Sequence, residues 1–323
     1  MIFIDTNMLP RQGSLRNVLM SSVLRVAAHN GIDICISEVV LEESVSARGR
    51  AVDEATQKLR EAINQASKVI ALDDIYIPGR EDEVARWEEE LRSTFRVIPV
   101  KGDHAVEALR REAFRRRPAR EGKGARDAAI WLCAIDYALE HKLPIYFVSD
   151  NTEDFADPAQ TDRLHSDLLA ECDELAVQVS FHRSLDSLIG SLATRVDFAP
   201  SIEALSAGAA STLLLLAIFN AHQAAETGPL ARFVPSEVTE VEEVQRLKAY
   251  KVDQLTLSLV RIKLRLAVTN LDGPEREELL LQCTFKAWVE SLGDDSDIIA
   301  IDIDNIGEVR VIEPAEAESE EQA

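Results

Sequence analysis

Cysteine is scarce in this 323-residue sequence, and its four copies, Cys35, Cys133, Cys172 and Cys283, form no C-x-x-C pair. That excludes a zinc knuckle or a dithiol redox motif and suits a reducing compartment. No apolar run reaches the 18 residues of a transmembrane candidate, the longest cluster being Leu213 to Phe219. The start, Met1-Ile2-Phe3-Ile4-Asp5, lacks a basic segment followed by an apolar one, so the expectation is a soluble cytoplasmic protein with no membrane partner. The six histidines show no i, i+4 pair, and no Ser-His-Asp arrangement is visible. Gly122-Lys123-Gly124 lacks both the earlier glycine and the following Ser or Thr of a P-loop. No repeat of fixed period occurs. Aromatics reach only 5%, leaving few platforms on which bases could stack. Bases are also short: 35 against 57 acids gives a net charge of −22, which repels polyanions at long range.

What is present is an alternation of short apolar runs and amphipathic stretches across the first 200 residues, the pattern of β-α-β units around a parallel sheet. Met1–Ile4, Ile32–Ile36, Phe95–Val100, Pro144–Ser149 and Val177–Phe181 are the candidate strands. Helices are expected over Leu15–His29, Glu38 to about Ala71, Asp82–Arg92, Asp103–Arg116, Ala125–His141 and Thr161–Cys172. After Arg195 an Ala- and Leu-rich helix is expected over Ser201–Gln223, closed by turns at Gly228-Pro229 and Pro235. Strand-like runs follow at Gln254–Val268, Glu278–Val289, Ile298–Ile303 and Glu308–Ile312, with turn chemistry at Asn270-Leu271-Asp272-Gly273-Pro274. The fold class expected is α/β, an α/β/α sandwich over residues 1–197, then a helix with a small antiparallel β domain over 198–312. Residues 313–323 read as an acidic, disordered tail.

Acids fall where such a sheet builds its sites. Asp5 ends the first strand, although an aspartate there can equally cap a turn. After the second strand, Glu43 lies three and four residues beyond Val40 and Val39, on their apolar face, whereas Glu42 shares a charged face with Glu38. Asp127 opens a helix whose next turn holds Ile130 and Trp131; a first-turn acid is also favoured simply by the helix dipole. Asp150 ends the fourth strand in Ser149-Asp150-Asn151-Thr152-Glu153-Asp154. Four converging acids would repel one another unless protonated or bridged by cations, and oxygen-only ligands favour Mg²⁺ or Mn²⁺ over zinc.

The segments FIDTN, ISEVVLEE, GARDAAIW and FVSDNTEDF, in this order, resemble the PIN domain superfamily over about the first 190 residues. That resemblance implies a metal-dependent endoribonuclease similar to toxins of the VapC type, leaving 5′-phosphate and 3′-hydroxyl ends on its RNA. It makes Asp5, Glu43, Asp127 and Asp150 the metal ligands, with Asn7 orienting the first and Asp154 supporting before Phe155. Asn151 competes with Asp150, and Glu42 with Glu43, for two of these places. The insertion from Ala51 to Val100 and the C-terminal part exceed a simple toxin. A basic run, including Arg115, Arg116, Arg117, Arg120, Lys123 and Arg126, precedes Asp127. It is expected to grip RNA phosphates, although charge runs are commonly solvated faces. The C-terminal part is expected to serve a homo-oligomer or a regulatory protein.

Other classes fit less well. A haloacid dehalogenase phosphatase needs a second aspartate where Asn7 stands, and a receiver domain needs an acceptor Asp and a later Lys that the sequence does not pair. An inactive scaffold binding RNA or protein, and a structure-selective DNA nuclease, are the alternatives that share the fold.

Overall fold

The computed structural model describes residues 1–10, 14–15, 17–70, 77–120, 122–224, 229–270, 277–293 and 297–312. It divides into two compact units, Met1–Ile189 and Gly190–Ala323. No helix among the described residues is long and apolar enough to cross a membrane.

In the first unit, β1 (Ile2–Ile4), β2 (Ile34–Ser37), β3 (Arg96–Ile98), β4 (Ile145–Val148) and β5 (Val179–His182) form a parallel sheet in the order β3-β2-β1-β4-β5. Ile2, Phe3 and Ile4 are wholly buried, as expected of a central strand covered on both faces. The flanking helices are α1 (Val18–His29), α2 (Glu38–Ala66), α3 (Arg80–Thr94), α4 (Gly102–Phe114), α5 (Ala125–His141), α6 (Thr152–Phe155), α7 (Ser166–Leu175) and α8 (Leu185–Leu192). Five parallel strands and the helices between them thus lie at the expected positions, with ends shifted by a few residues.

Each helix starts where a polar group meets its free amides. Ser37 accepts from the Val40 amide at 3.2 Å to start α2 directly from β2, and Asn17 accepts from the Leu19 and Met20 amides at 3.1 and 3.0 Å to start α1. Trp131 on α5 meets Phe147 edge-on at 5.3 Å between centroids, and Phe155 closes the cluster at 4.9 Å from Phe147. Beside it, buried Arg111 pairs with Glu171, which also accepts the Trp131 indole N–H at 2.9 Å. Arg111 therefore leaves the basic run and belongs to the core. Removing one partner of a buried pair strands the other charge, so Glu171→Ala is expected to cost roughly 3 kcal/mol in denaturant unfolding. An unchanged midpoint would show that the pair contributes nothing.

The second unit holds an antiparallel sheet of β6 (Thr194–Arg195), β7 (Phe233–Val252), β8 (Leu255–Asn270), β9 (Glu277–Leu292) and β10 (Asp297–Ile312), ordered β10-β9-β8-β7-β6. The helices α9 (Ile202–Ser206) and α10 (Gly208–Ala224) cover one face, burying Leu205, Leu214 and Ile218 against Val260, Ile262, Leu264 and Phe285. One continuous helix was expected over Ser201–Gln223; the structure breaks it at Ala207, whose backbone is extended.

Two further expectations are corrected. Pro235 does not end a helix but lies inside β7, a strand the sequence did not suggest, and the two short runs near the C-terminus are one strand, β10. Both strands carry register shifts: β7 after Pro235, Val238, Val241 and Arg246, and β10 after Ile298, Ile303 and Ile306. Each bulge inserts a residue, so side chains three apart return to the same face. Val238, Val241 and Val244 accordingly all pack on the core, as do Ile298, Ile301, Ile303, Ile306 and Val309. Their spacing hides the two-residue alternation that marks a strand. Most of the turn expected at residues 270–274, residue 228 of the turn at 228–229, and the acidic tail lie outside the described residues.

Candidate active site

The strand order reverses around β1, whose neighbours are β2 and β4, and crevices at the carboxyl ends of parallel strands form at such a reversal. Asp5 leaves β1 there and Ser149 leaves β4; because Ile4 is in register with Val148, the two residues emerge side by side. The Ser149 hydroxyl donates to Asp5 Oδ2 at 2.5 Å, Asn7 Nδ2 donates to the same oxygen at 3.1 Å, and the Thr6 amide donates to Oδ1 at 2.7 Å. Asn7 thus has the orienting position expected of it. Its other amide atom accepts from the Asp150 N–H at 3.2 Å, joining the two strand ends.

Glu43 approaches from the first turns of α2. One carboxylate oxygen accepts from Thr6 Oγ1 at 2.6 Å and the other pairs with Arg126, while Glu42 is exposed. Asp127 stands in the first turn of α5, after Gly124, whose φ of 96° is a conformation that side chains disfavour. A Cβ on Gly124 would also come within 3.1 Å of the Ala119 Cα, so this entry to the helix requires glycine. Asn151 Nδ2 bridges Asp127 and Asp154, at 3.0 and 2.8 Å.

Asp150 is placed differently. Its side chain is 60% exposed and its nearest cation is Arg183, at 3.5 Å. The reason is local: Ser149 faces Asp5, the next residue of an extended chain faces away, and the turn of α6 then brings Asn151 and Asp154 back toward Asp127. The acids that the structure brings together are therefore Asp5, Glu43, Asp127 and Asp154.

Their charges act on one another. Asp5 is only 3% exposed, and its burial pushes the carboxyl up to about 6, with the Asp127 and Glu43 charges adding to the rise and the Ser149 and Thr6 donors opposing it. Asp127 is likewise raised, by burial first and then by Asp154 and Glu43, against the Asn151 hydrogen bond. Among the described residues no three of these groups stand close enough to hold a metal ion as they are. In kind they fit one: the donors are all oxygens, and the raised Asp5 and Asp127 mark negative charge that the protein's own donors leave uncompensated.

The basic run is mostly turned inward. Arg116 pairs with Glu107 at 2.7 Å, and Arg117 donates to the Glu153 and Asp154 carbonyls. Arg120 pairs with Asp154 at 2.7 Å and with Glu153, and Arg126 holds Glu43. Only Arg115 and Lys123 of the six have no carboxylate partner among the described residues. Thr6 and Ser149, which the sequence reading passed over, turn out to hold two of the acids. The signal for Ser149 was available, since it follows an apolar strand just as Asp5 does.

Comparison with protein-family models matches residues 2–155 to a PIN domain. No curated protein and no solved structure matches the chain.

Proposed function

Through residues 2–155 the chain belongs to the PIN domain superfamily, a nuclease-type fold, and we propose on that premise that it is a metal-dependent endoribonuclease hydrolysing RNA phosphodiester bonds. The observation that carries this reading is a buried aspartate at the sheet's reversal point, held up at about 6 by burial and by two facing carboxylates. Fixed anions in such a place cost stability unless a function requires them.

Asp5, Glu43, Asp127 and Asp154 would hold the cation, Mg²⁺ or Mn²⁺, with Asp150 at the rim. A bound divalent ion supplies Lewis-acid polarisation of a phosphodiester and lowers the pKa of a coordinated water. The remaining tasks belong to the chain itself. Ser149, Thr6 and Asn7 fix the Asp5 oxygens so that no reorganisation is needed when charge develops. Asn151 fixes Asp127 relative to Asp154. Arg126, at the edge of the cluster, is the guanidinium best placed to meet a substrate phosphate in exchange for Glu43.

The test is incubation of purified protein with single-stranded RNA and Mn²⁺ or Mg²⁺, with an EDTA control beside it. Cleavage that EDTA stops is the expected result. RNA that is bound but never cut in either metal would make this a binding module instead.

A further inference from the structure

The arginines expected to grip RNA are largely occupied by the protein's own acids, which raises the question of where a strand would lie. Beside the acid cluster, between α2 and the turn after β1, is a cleft of about 760 Å³. That volume is within the roughly 300–1,000 Å³ typical of pockets that enclose a small ligand. It begins at Thr6, Glu43 and Arg126, so it opens directly from the candidate active site. Leu9 and Pro10 form one wall, and Ala47, Arg50 and Ala51 the other.

The α2 wall is a helical stripe. Glu43, Ala47, Arg50, Ala51 and Glu54 recur at the spacings that place side chains on one face, so the cleft follows the helix axis away from the acids. Arg50 stands about 10 Å along that axis from Glu43. Its guanidinium is exposed and donates to the Ser46 hydroxyl at 2.8 Å; among the described residues it has no carboxylate partner. The nearby acids are already engaged or turned aside. Glu54 pairs with Lys58 at 2.6 Å and Glu43 pairs with Arg126. An anion entering the cleft therefore meets one unneutralised guanidinium, small apolar side chains, and a path to the acid cluster.

We propose that this cleft is the subsite for the unpaired nucleotides flanking the scissile phosphate, with Arg50 gripping a backbone phosphate and the Leu9, Pro10, Ala47 and Ala51 surface receiving a base. The assignment rests on the endoribonuclease reading and adds the substrate class to it, a single strand. A paired RNA helix keeps its bases stacked inside and offers nothing to insert, whereas unpaired bases can be splayed into a pocket. A guanidinium fork suits phosphate oxygens, and small apolar walls accept any base, so the subsite would select strandedness over sequence.

Binding can be measured apart from cleavage. A fluorescein-labelled single-stranded RNA oligonucleotide is titrated with the full-length protein in EDTA at low ionic strength and followed by fluorescence anisotropy. Arg50→Ala is expected to weaken binding about tenfold and to lower the slope of log affinity against log salt by about one. Ala47→Trp, which fills the cleft without changing charge, is expected to weaken it comparably. Arg60→Ala, an exposed arginine on the same helix, is expected to leave it unchanged. Circular dichroism melts establish that each variant is folded, and if Ala47→Trp is not, Arg50→Ala decides alone. Wild-type affinity in Arg50→Ala, an equal loss in Arg60→Ala, or no binding by the wild type overturns the assignment. RNA that is bound through Arg50 but left uncut in Mn²⁺ leaves the subsite standing and removes the nuclease reading.

Discussion

Asp5→Asn is expected to lower the cleavage rate by at least about 10²–10³-fold, the scale on which a single preorganised electrostatic contact acts, while the fold survives. Shape is conserved, and asparagine keeps an oxygen for the Thr6 amide. What changes is charge. The second oxygen becomes an NH₂ facing the Asn7 donor, and the Ser149 hydroxyl must turn to accept. That local cost is offset because the variant no longer buries an anion beside Asp127 and Glu43. Thermal melting should therefore place the variant at or above the wild type even as activity disappears. Ser149→Ala, which leaves the carboxylate but removes a positioning donor, is expected to cost about 10–100-fold, the range for groups that orient a ligand. Wild-type cleavage by Asp5→Asn would remove this carboxylate from the chemistry altogether.

Much of the first unit could be read from its sequence because local and tertiary signals agree there. Apolar strands such as Ile2-Phe3-Ile4 are short, continuous and followed at once by a polar cap, so strand and helix boundaries both declare themselves. The same clarity extends to Asp5 and Asp127, fixed by a strand end and a helix start. It fails where a side chain's partner comes from far along the chain. Nothing near Arg126 announces that it reaches Glu43, and nothing near Arg120 announces Asp154, so a run of positive charge resembled an arm when it is largely a set of clasps. Asp150 and Asp154 exchanged roles for a related reason: one residue of extended chain between Ser149 and Asn151 decides which acid faces inward. In the second unit the obstacle is the bulges. Val238, Val241 and Val244 reach one core only because each bulge absorbs a residue, an event set by pairing with β8 that the sequence of β7 does not display.

The raised aspartate also fixes the sign of a pH effect. Asp5 titrates at about 6 in the folded protein against 3.8 as its ordinary value. A carboxyl raised on folding favours the protonated form, so its penalty is absent below about pH 4, grows between about 4 and 6, and is complete above. At full ionisation the penalty is on the order of 3 kcal/mol. Asp127 is shifted the same way and deepens the effect. Asp136 and Glu242, held low by their partners, act in the opposite sense, which is why the wild type must be compared with Asp5→Asn at each pH. In EDTA the wild type is expected to lose melting temperature relative to that variant as pH rises from about 4 to 6, with a constant gap beyond. Divalent cations should close the gap. Bound to the ionised carboxylates at 100 times its dissociation constant, a metal adds about 2.7 kcal/mol, and the gain should be large at pH 7.5 and fade below 6 as protons compete for the same oxygens. Differential scanning fluorimetry with Mn²⁺ and with EDTA, across that range, reads both effects. Identical melts with and without metal at pH 7.5 would show that these carboxylates are not a cation site, whatever their mutual repulsion.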